Sequence, residues 1–465
     1  MNKNRYFAIT LIIAGALSAC STPAPISTVQ IEVPASFKES GQWRAARADV
    51  ATVPDDWWTL FNDATLDDLQ KQVLVGNQTL QASAALVEVA RAALGSARAA
   101  GSPNVGVTAG STASVLPGGI SATTANSLAA NANWELDLWG RIAGNVSSAN
   151  ARLQVSGADL AAARWSIQAV LTQTYFSLRS AEAQGLLLER SVTAYQRSLE
   201  LTQNRYAGGI ASAADVAQAT TQLRSTQAQL IDLQSSRAQL EHAVATLTGQ
   251  MAANFSLGRT AALPAAPQVP VQLPSDLMQR RPDIAAASAR VTAANSQIGV
   301  AQSAFFPAIT LSASAGLRNA DLLNLISAPS LFWSLGPALA ATLLDGGARK
   351  ANEASARASA TQATAIYRQT VLTALQEVED NLVVAASLEE QAALQTEALN
   401  AAQRNLDITN NQYKAGTVSY LNVVTAQATA LSSERALLDV RNRRLAAIAV
   451  LLKNLGGRWK AVEGG

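Results

Sequence analysis

One cysteine and one histidine are all the thiol and imidazole chemistry available in 465 residues. Cys20 cannot form an internal disulfide, and with a single histidine the common zinc sites cannot be assembled. His242 lies beside Glu241 in a helical pattern and is expected on a solvated face. No phosphate-cradling loop is present, and Gly118-Gly119 falls in a connection between expected strands. No catalytic residue, cofactor or metal site is therefore expected. The setting of the thiol is more informative. Lys3 and Arg5 precede an apolar run from Phe7 to Leu17, and the run ends in Leu17-Ser18-Ala19-Cys20. This run is too short for a bilayer span, which takes about 20 residues, but it suits an export signal.

The end of that run resembles the bacterial lipoprotein cleavage box, in which the cysteine becomes the lipidated first residue of the mature chain. Residues 1–19 are then a signal peptide and Cys20 carries covalent lipid. Ser21 stands where an aspartate would suggest inner-membrane retention, so the expected destination is the outer membrane, facing the periplasm. Cleavage removes two basic residues and no acidic one, leaving 33 of each. With no basic block and no interleaved aromatic stripe, nucleic acid is not expected as a partner. Aromatics are 5 % and charged residues 15 % of the chain. That mix suits long, closely packed helices.

The chain is a tandem duplication. At an offset of 207, Asn204, Tyr206, Gly209, Ser212, Val216 and Arg237 meet Asn411, Tyr413, Gly416, Ser419, Val423 and Arg444. Gly95, Ala97 and Pro103 meet Gly299, Ala301 and Pro307 at an offset of 204. This period is far longer than a solenoid unit. The repeats are placed at 57–250 and 282–457. An extended anchored segment at 20–56, a linker at 251–281 and a tail at 458–465 complete the division. Each copy reads helix, strand, strand, long helix, return helix, with prolines at the boundaries. Expected helices in the first copy are 78–102, 143–207 and 213–249; in the second they are 282–304, 348–414 and 419–455. Val216, Leu223, Leu230 and Val244 share one heptad position and Ala219, Leu233, Leu240 and Leu247 the other, which argues a coiled coil. Arg237 and Arg444 interrupt the seam and are expected to snorkel from it. A long helix of about 65 residues spans on the order of 98 Å, matched by the two shorter helices laid end to end.

Strands are expected at about 104–114, 127–139, 307–317 and 331–344. Leu128, Ala130, Ala132, Trp134, Leu136 and Leu138 share one face, with Asn131, Asn133, Glu135 and Asp137 on the other. Ile309, Leu311, Ala313, Ala315 and Leu317 alternate with Thr310, Ser312 and Ser314, and Trp333, Leu335, Leu339, Ala341 and Leu343 share a face. Apolar-out, polar-in strands of about ten residues mark a membrane β-barrel. The first strand is weak taken alone. Four strands cannot close a barrel, and an open edge cannot face lipid. Three chains give twelve strands; two would give about eight, with a filled lumen. Phe305, Phe306 and Trp139 are expected at one membrane boundary, Phe332 and Trp333 near the other.

These stretches together resemble the TolC-like outer-membrane factors, in the lipoprotein branch that serves multidrug efflux. The matching segments are DDWWTLFNDATLDDL (55–69), WELDLWGR (134–141), RRPDIAAASARVTAANSQIGVAQSAFFPAITLSASAG (281–316) and WSLGPALAATLLDGGARK (333–350). The helix-turn tips RYAGGIASAADV (205–216) and QYKAGTVSYLNV (412–423) match as well. The resemblance implies a mainly α fold with a β-barrel: a homotrimeric channel with a 12-stranded barrel and a long coiled-coil periplasmic tunnel. It also implies a periplasmic adaptor as partner, linking the tunnel to an inner-membrane pump of the RND type. Tyr206, Gly209, Ser212, Tyr413, Gly416 and Ser419 would form the adaptor-docking tips. Asp215 and Tyr413 would hydrogen-bond as a latch on the aperture. Capping alone would also explain the tip glycines and Asp215. Where the family's type member carries two aspartates in the second return helix, this chain has Asn422 and Thr425, so a ring of acids there is not expected. Protein secretion and a non-conducting structural trimer remain the alternative functions.

Overall fold

Polar caps and proline set the boundaries of the elements. The computed structural model describes residues 34–39, 53–115, 122–260, 263–267, 269 and 274–457. Cys20, the signal region and the tail from 458 lie outside them. After a turn of 3-10 helix at Trp57–Phe61, the Asp63 carboxylate accepts the Thr65 and Leu66 N–H groups and opens α1 (Ala64–Gly76). Asn77 caps α2 (Gln78–Ala99) through its side-chain oxygen. Strands β1 (Asn104–Val115) and β2 (Ala122–Leu136) lead into α3 (Arg141–Ala207), and α4 (Ala213–Leu247) returns. Short α5 (Pro274–Arg280) precedes the second repeat: α6 (Pro282–Ser303), β3 (Ala308–Asn319), β4 (Leu331–Ala340), α7 (Ala348–Lys414) and α8 (Tyr420–Leu455). Both long helices have 67 residues, or about 100 Å.

The strands form one antiparallel sheet in the order β1-β2-β3-β4. Its register aligns the apolar positions. Leu128 pairs with Leu317, Ala130 with Ala315, Ala132 with Ala313 and Trp134 with Leu311. Ala313 in turn faces Leu335 and Ala315 faces Trp333. The same register gives β1 its orientation, because Val105 and Val107 lie beside Ala132 and Ala130. On the opposite face, the Ser312 hydroxyl donates to Asn133 Oδ1 at 2.9 Å and Asn131 Nδ2 donates to Thr108 Oγ1 at 2.9 Å. Strands β1 and β4 are its two edges.

Two strand ends differ from expectation for one reason. The second strand stops at Leu136 rather than 139, because the Asp137 carboxylate turns to accept the Ile142 and Ala143 N–H groups at the start of α3. The fourth stops at Ala340 rather than 344, and Asp345 accepts N–H groups from Gly347 and Arg349 in the same way. Ala341 and Leu343 therefore leave the strand face. The second strand also begins earlier, at Ala122, in a polar stretch that its pairing with β1 holds. At the helix side of the sheet, Trp139 stacks on Phe306 with centroids 4.8 Å apart and donates from Nε1 to Pro307 O.

The main core sits midway along the helices. Trp57, Trp58, Phe61, Trp165, Tyr175 and Phe176 are buried with Val378, Leu445 and Leu452, and Val269 and Leu277 of the linker region join them. Trp57 and Trp58 share this core with the linker residues Val269 and Leu277; the tail from 458, also expected to pack there, lies outside the described residues.

Candidate functional site

The two hairpin tips, farthest from the sheet, share one backbone design. At the first, Gly209 has φ of 74°, and the Ile210 and Ala211 N–H groups return to Arg205 O at 2.8 and 3.2 Å. At the second, Gly416 has φ of 79° and the Thr417 N–H reaches Gln412 O at 3.0 Å. A left-handed residue closing a helix end in this way is most readily glycine.

Their side chains diverge. Ser212 and Asp215 form a capping box: the Asp215 N–H donates to Ser212 Oγ at 3.1 Å, and Asp215 Oδ2 accepts the Ser212 N–H and hydroxyl at 2.8 and 2.9 Å. At the second tip, Ser419 makes no side-chain cap, and the residue matching Asp215 is the exposed Asn422. The exposed Thr425 turns its hydroxyl onto Leu421 O at 2.9 Å. Tyr206 is 51 % exposed, whereas its repeat mate Tyr413 is 7 % exposed.

Among the described residues no hydrogen bond joins Asp215 to Tyr413, the pair expected as a latch. The Asp215 oxygen is occupied by its own cap, a local pairing that fixes the carboxylate on the helix start. The Tyr413 hydroxyl is buried without a hydrogen-bond partner among the described residues. The hairpins are joined instead by Arg205, which the sequence reading left without a role. Its guanidinium lies 4.8 Å from the centre of the Tyr413 ring, and Nη1 donates to Tyr413 O at 3.3 Å. Tyr413 packs edge-on to Tyr420 at 5.3 Å, within a small core that includes Tyr195, Leu199, Leu223 and Val423. The Tyr420 and Ser198 hydroxyls are 3.1 Å apart, and the Tyr195 hydroxyl donates to Gln427 O. Burial raises the pKa of both phenols above the ordinary value.

Nearer the middle, Arg237 does not snorkel. It pairs with Glu182 at 3.1 Å and Glu241 at 2.7 Å and donates to Leu257 O. Glu182 also binds Arg179 at 2.7 Å and accepts the Thr260 N–H. The cluster fastens residues 257–260 to the helix pair. The pattern was readable: Arg237 and Glu182 have the mates Arg444 and Glu389 at the repeat offset, and these too are paired, at 3.0 Å. Among the described residues there is no cluster of three or more histidine, cysteine or acidic side chains fit to hold a metal ion.

A sheet with one continuous apolar face, set at the end of helices about 100 Å long, defines a class: membrane-embedded conduits with a long helical extension. The chain belongs to the outer membrane efflux protein family, whose sequence pattern matches it twice, at residues 69–250 and 273–457. The matched stretches begin at 69 and 273, where the repeats read from the sequence begin at 57 and 282. The probable efflux pump outer membrane protein TtgC of Pseudomonas putida is 29 % identical over 461 residues, covering 97 % of this chain and 95 % of that protein. The solvent efflux pump outer membrane protein SrpC of the same species is 31 % identical over 450 residues, covering 94 % of each. The pyoverdine export outer membrane protein OpmQ of Pseudomonas aeruginosa is 30 % identical, covering 96 % of this chain and 95 % of its own. Among solved structures, the outer-membrane channel OprN has a TM-score of 0.88 at 28 % identity, over 94 % of this chain and 99 % of that one. The protein is thus an outer-membrane component of an efflux system.

Proposed function

We propose that three copies of the chain, anchored through lipid on Cys20, close a 12-stranded barrel and form the passive exit duct of a tripartite efflux pump. A periplasmic adaptor docks on the tips around Tyr206, Gly209, Ser212, Tyr413, Gly416 and Ser419, and an RND-type inner-membrane pump drives transport. The observation carrying this reading is the sheet. Its apolar face runs across all four strands, while β1 and β4 offer edges whose N–H and C=O groups cannot face lipid unpaired. The polar inner face suits a water-filled lumen. Substrates are small organic toxicants, a reading supported by the solvent-efflux relative; the pyoverdine exporter supports a wider range of exported compounds.

Two measurements test this. Native mass spectrometry in detergent should weigh three chains, and planar bilayers should show discrete conductance steps. A monomer or dimer, or a silent bilayer, rejects the duct. Deleting the gene should sensitise cells to drugs while leaving protein secretion intact; the reverse outcome assigns the duct to secretion.

A further inference from the structure

The four strands carry two charges between them, Glu135 and Arg318. They sit at opposite ends. Glu135 lies on the helix side of the sheet, where Arg141 neutralises it: Nε and Nη2 donate to its two oxygens at 2.8 and 2.7 Å. Arg318 is exposed at the far end, one residue before β3 stops at Asn319. The run from Ala308 to Arg318 is about 30 Å at about 3.4 Å per residue. Among the described residues no acidic side chain pairs with Arg318. Asp321, the nearest acid in the chain, is committed to the β3–β4 connection: Oδ1 accepts the Leu323 N–H at 3.1 Å and Oδ2 accepts from Asn324 Nδ2 at 2.8 Å.

Arg318 shares a face with the polar residues. Successive side chains alternate across a strand, so Leu317 points with the apolar set and Arg318 with Ser312 and Ser314. The contacts agree. The Ser314 and Ser334 hydroxyls are 2.8 Å apart on that side, and the Arg318 guanidinium lies 5.0 Å from the centre of the Phe332 ring on the same strand as Ser334. Gly316, directly opposite Phe332, puts no side chain between ring and guanidinium. The rest of this face is built from amides and hydroxyls such as Asn131, Asn133 and Thr108, which are polar and uncharged. A carboxylate would hold Arg318 and cancel its charge. The Phe332 ring holds it and leaves the charge in place.

We infer that Arg318 of three copies forms a ring of guanidinium groups just inside the outer mouth of the barrel, and that this ring makes the exit favour anions. Carboxylates, phosphates and sulfonates pass it more readily than cations of the same size. This rests on the trimeric duct proposed above. Rings of arginine or lysine select anions in pores, and an ionisable residue at membrane depth without a counter-charge is costly unless it serves the pathway. The ring acts on solutes within a Debye length, about 10 Å at 0.1 M salt and about 3 Å at 1 M. The preference therefore fades as salt rises, as that of a purely steric filter would not.

Reversal potentials in planar bilayers under a potassium chloride gradient read the ring, with each variant first shown to weigh three chains. Arg318→Gln should shift the potential toward cation preference relative to the wild type, and Arg318→Glu should shift it further. Arg318→Lys keeps the charge but not the planar fork and should stay near the wild-type value. These shifts should shrink as the mean salt rises from about 0.1 M to about 1 M. An unchanged potential in Arg318→Glu overturns the ring. So does a shift in Arg318→Lys as large as that of Arg318→Gln, which would leave Arg318 only its stacking on Phe332. Either result leaves the duct standing. A wild-type trimer that carries no current overturns the duct, and the ring with it.

Discussion

Where the first return helix ends, Asn77 Nδ2 donates to Leu247 O at 2.8 Å and its Oδ1 caps α2. At the matching place in the second repeat, Arg281 Nη1 donates to Asn454 O at 3.3 Å while its other nitrogens bind Asp283 and Glu377 at 2.7 and 2.8 Å. The backbone join is the same, made once with a neutral amide and once with an ionic triad. The ion pairs between long and return helices diverge in the same way. The Glu182 side chain is 1 % exposed under the linker, whereas that of its mate Glu389 is 64 % exposed. Duplication preserved which helices meet; it did not preserve how much water each junction sees. The energetic weight of a matched residue is therefore set by burial and not by its identity.

The largest expected effect follows from that difference. Glu182→Ala leaves the buried Arg179 and the mostly buried Arg237 without their shared carboxylate, and breaking a buried pair from one side costs about 3–5 kcal/mol. Glu389→Ala removes the matching exposed partner of Arg444 and should cost about 0–1 kcal/mol. Thermal melts followed by circular dichroism compare them directly. Equal losses would show that the linker does not shield the first pair.

The tips come next. Tyr413→Ala empties a site in a packed cluster, and loss of a buried aromatic costs about 3–5 kcal/mol at full burial. Tyr206→Ala, at its exposed mate, should stay within about 0.5 kcal/mol. Hydrogen exchange across 405–425 and 200–215 reads each tip separately, and a tip loosened by Tyr206→Ala would contradict the asymmetry. Tyr413→Phe removes a hydroxyl that has no partner among the described residues, so single-channel conductance should not change; a rise would restore the latch. Asp215→Ala breaks the capping box and should weaken the start of α4 by about 0.5–2 kcal/mol. Asn422→Asp can build such a box at the second tip and should slow exchange there.

Element order was legible because proline, glycine and heptad patterns are local signals, and the duplication let each half check the other. Strand β1 was the exception. Its apolar face emerges only when Val105 and Val107 are set beside Ala132 and Ala130, which is a matter of register. The side-chain partners at the tips were less legible. Asp215 had two possible partners, and the one three residues away won because a capping box needs no tertiary arrangement. Arg205 went unread because its work is to stack on a ring from the other hairpin, and nothing in local spacing marks a residue for that. Arg237 was misread for a related reason: a lone arginine in an apolar seam looks exposed until its carboxylate, 55 residues earlier, is placed beside it.

The smallest expected effect is an acid-induced loosening confined to one repeat. Burial opposes ionisation of Asp283, but the hydrogen bonds and charge of Arg281, with the Ile284 N–H, outweigh it and hold the carboxyl below the ordinary range. A carboxyl with a lowered folded pKa adds stability at pH values above its unfolded pKa of about 3.9, and that stability is lost as pH falls through the folded value. The start of α6 should therefore hold its protection at neutral pH and lose it below about pH 4, whereas the start of α2, capped by neutral Asn77, should show no matching step. Hydrogen exchange at 284–288 against 80–84, corrected for the intrinsic pH dependence of exchange, makes the comparison within one molecule. Asp283→Asn should remove the step by lowering the neutral-pH protection to the acid level. A step of equal size at both helix starts would mean that acid acts on the whole tube, and that the ionic and amide junctions respond alike.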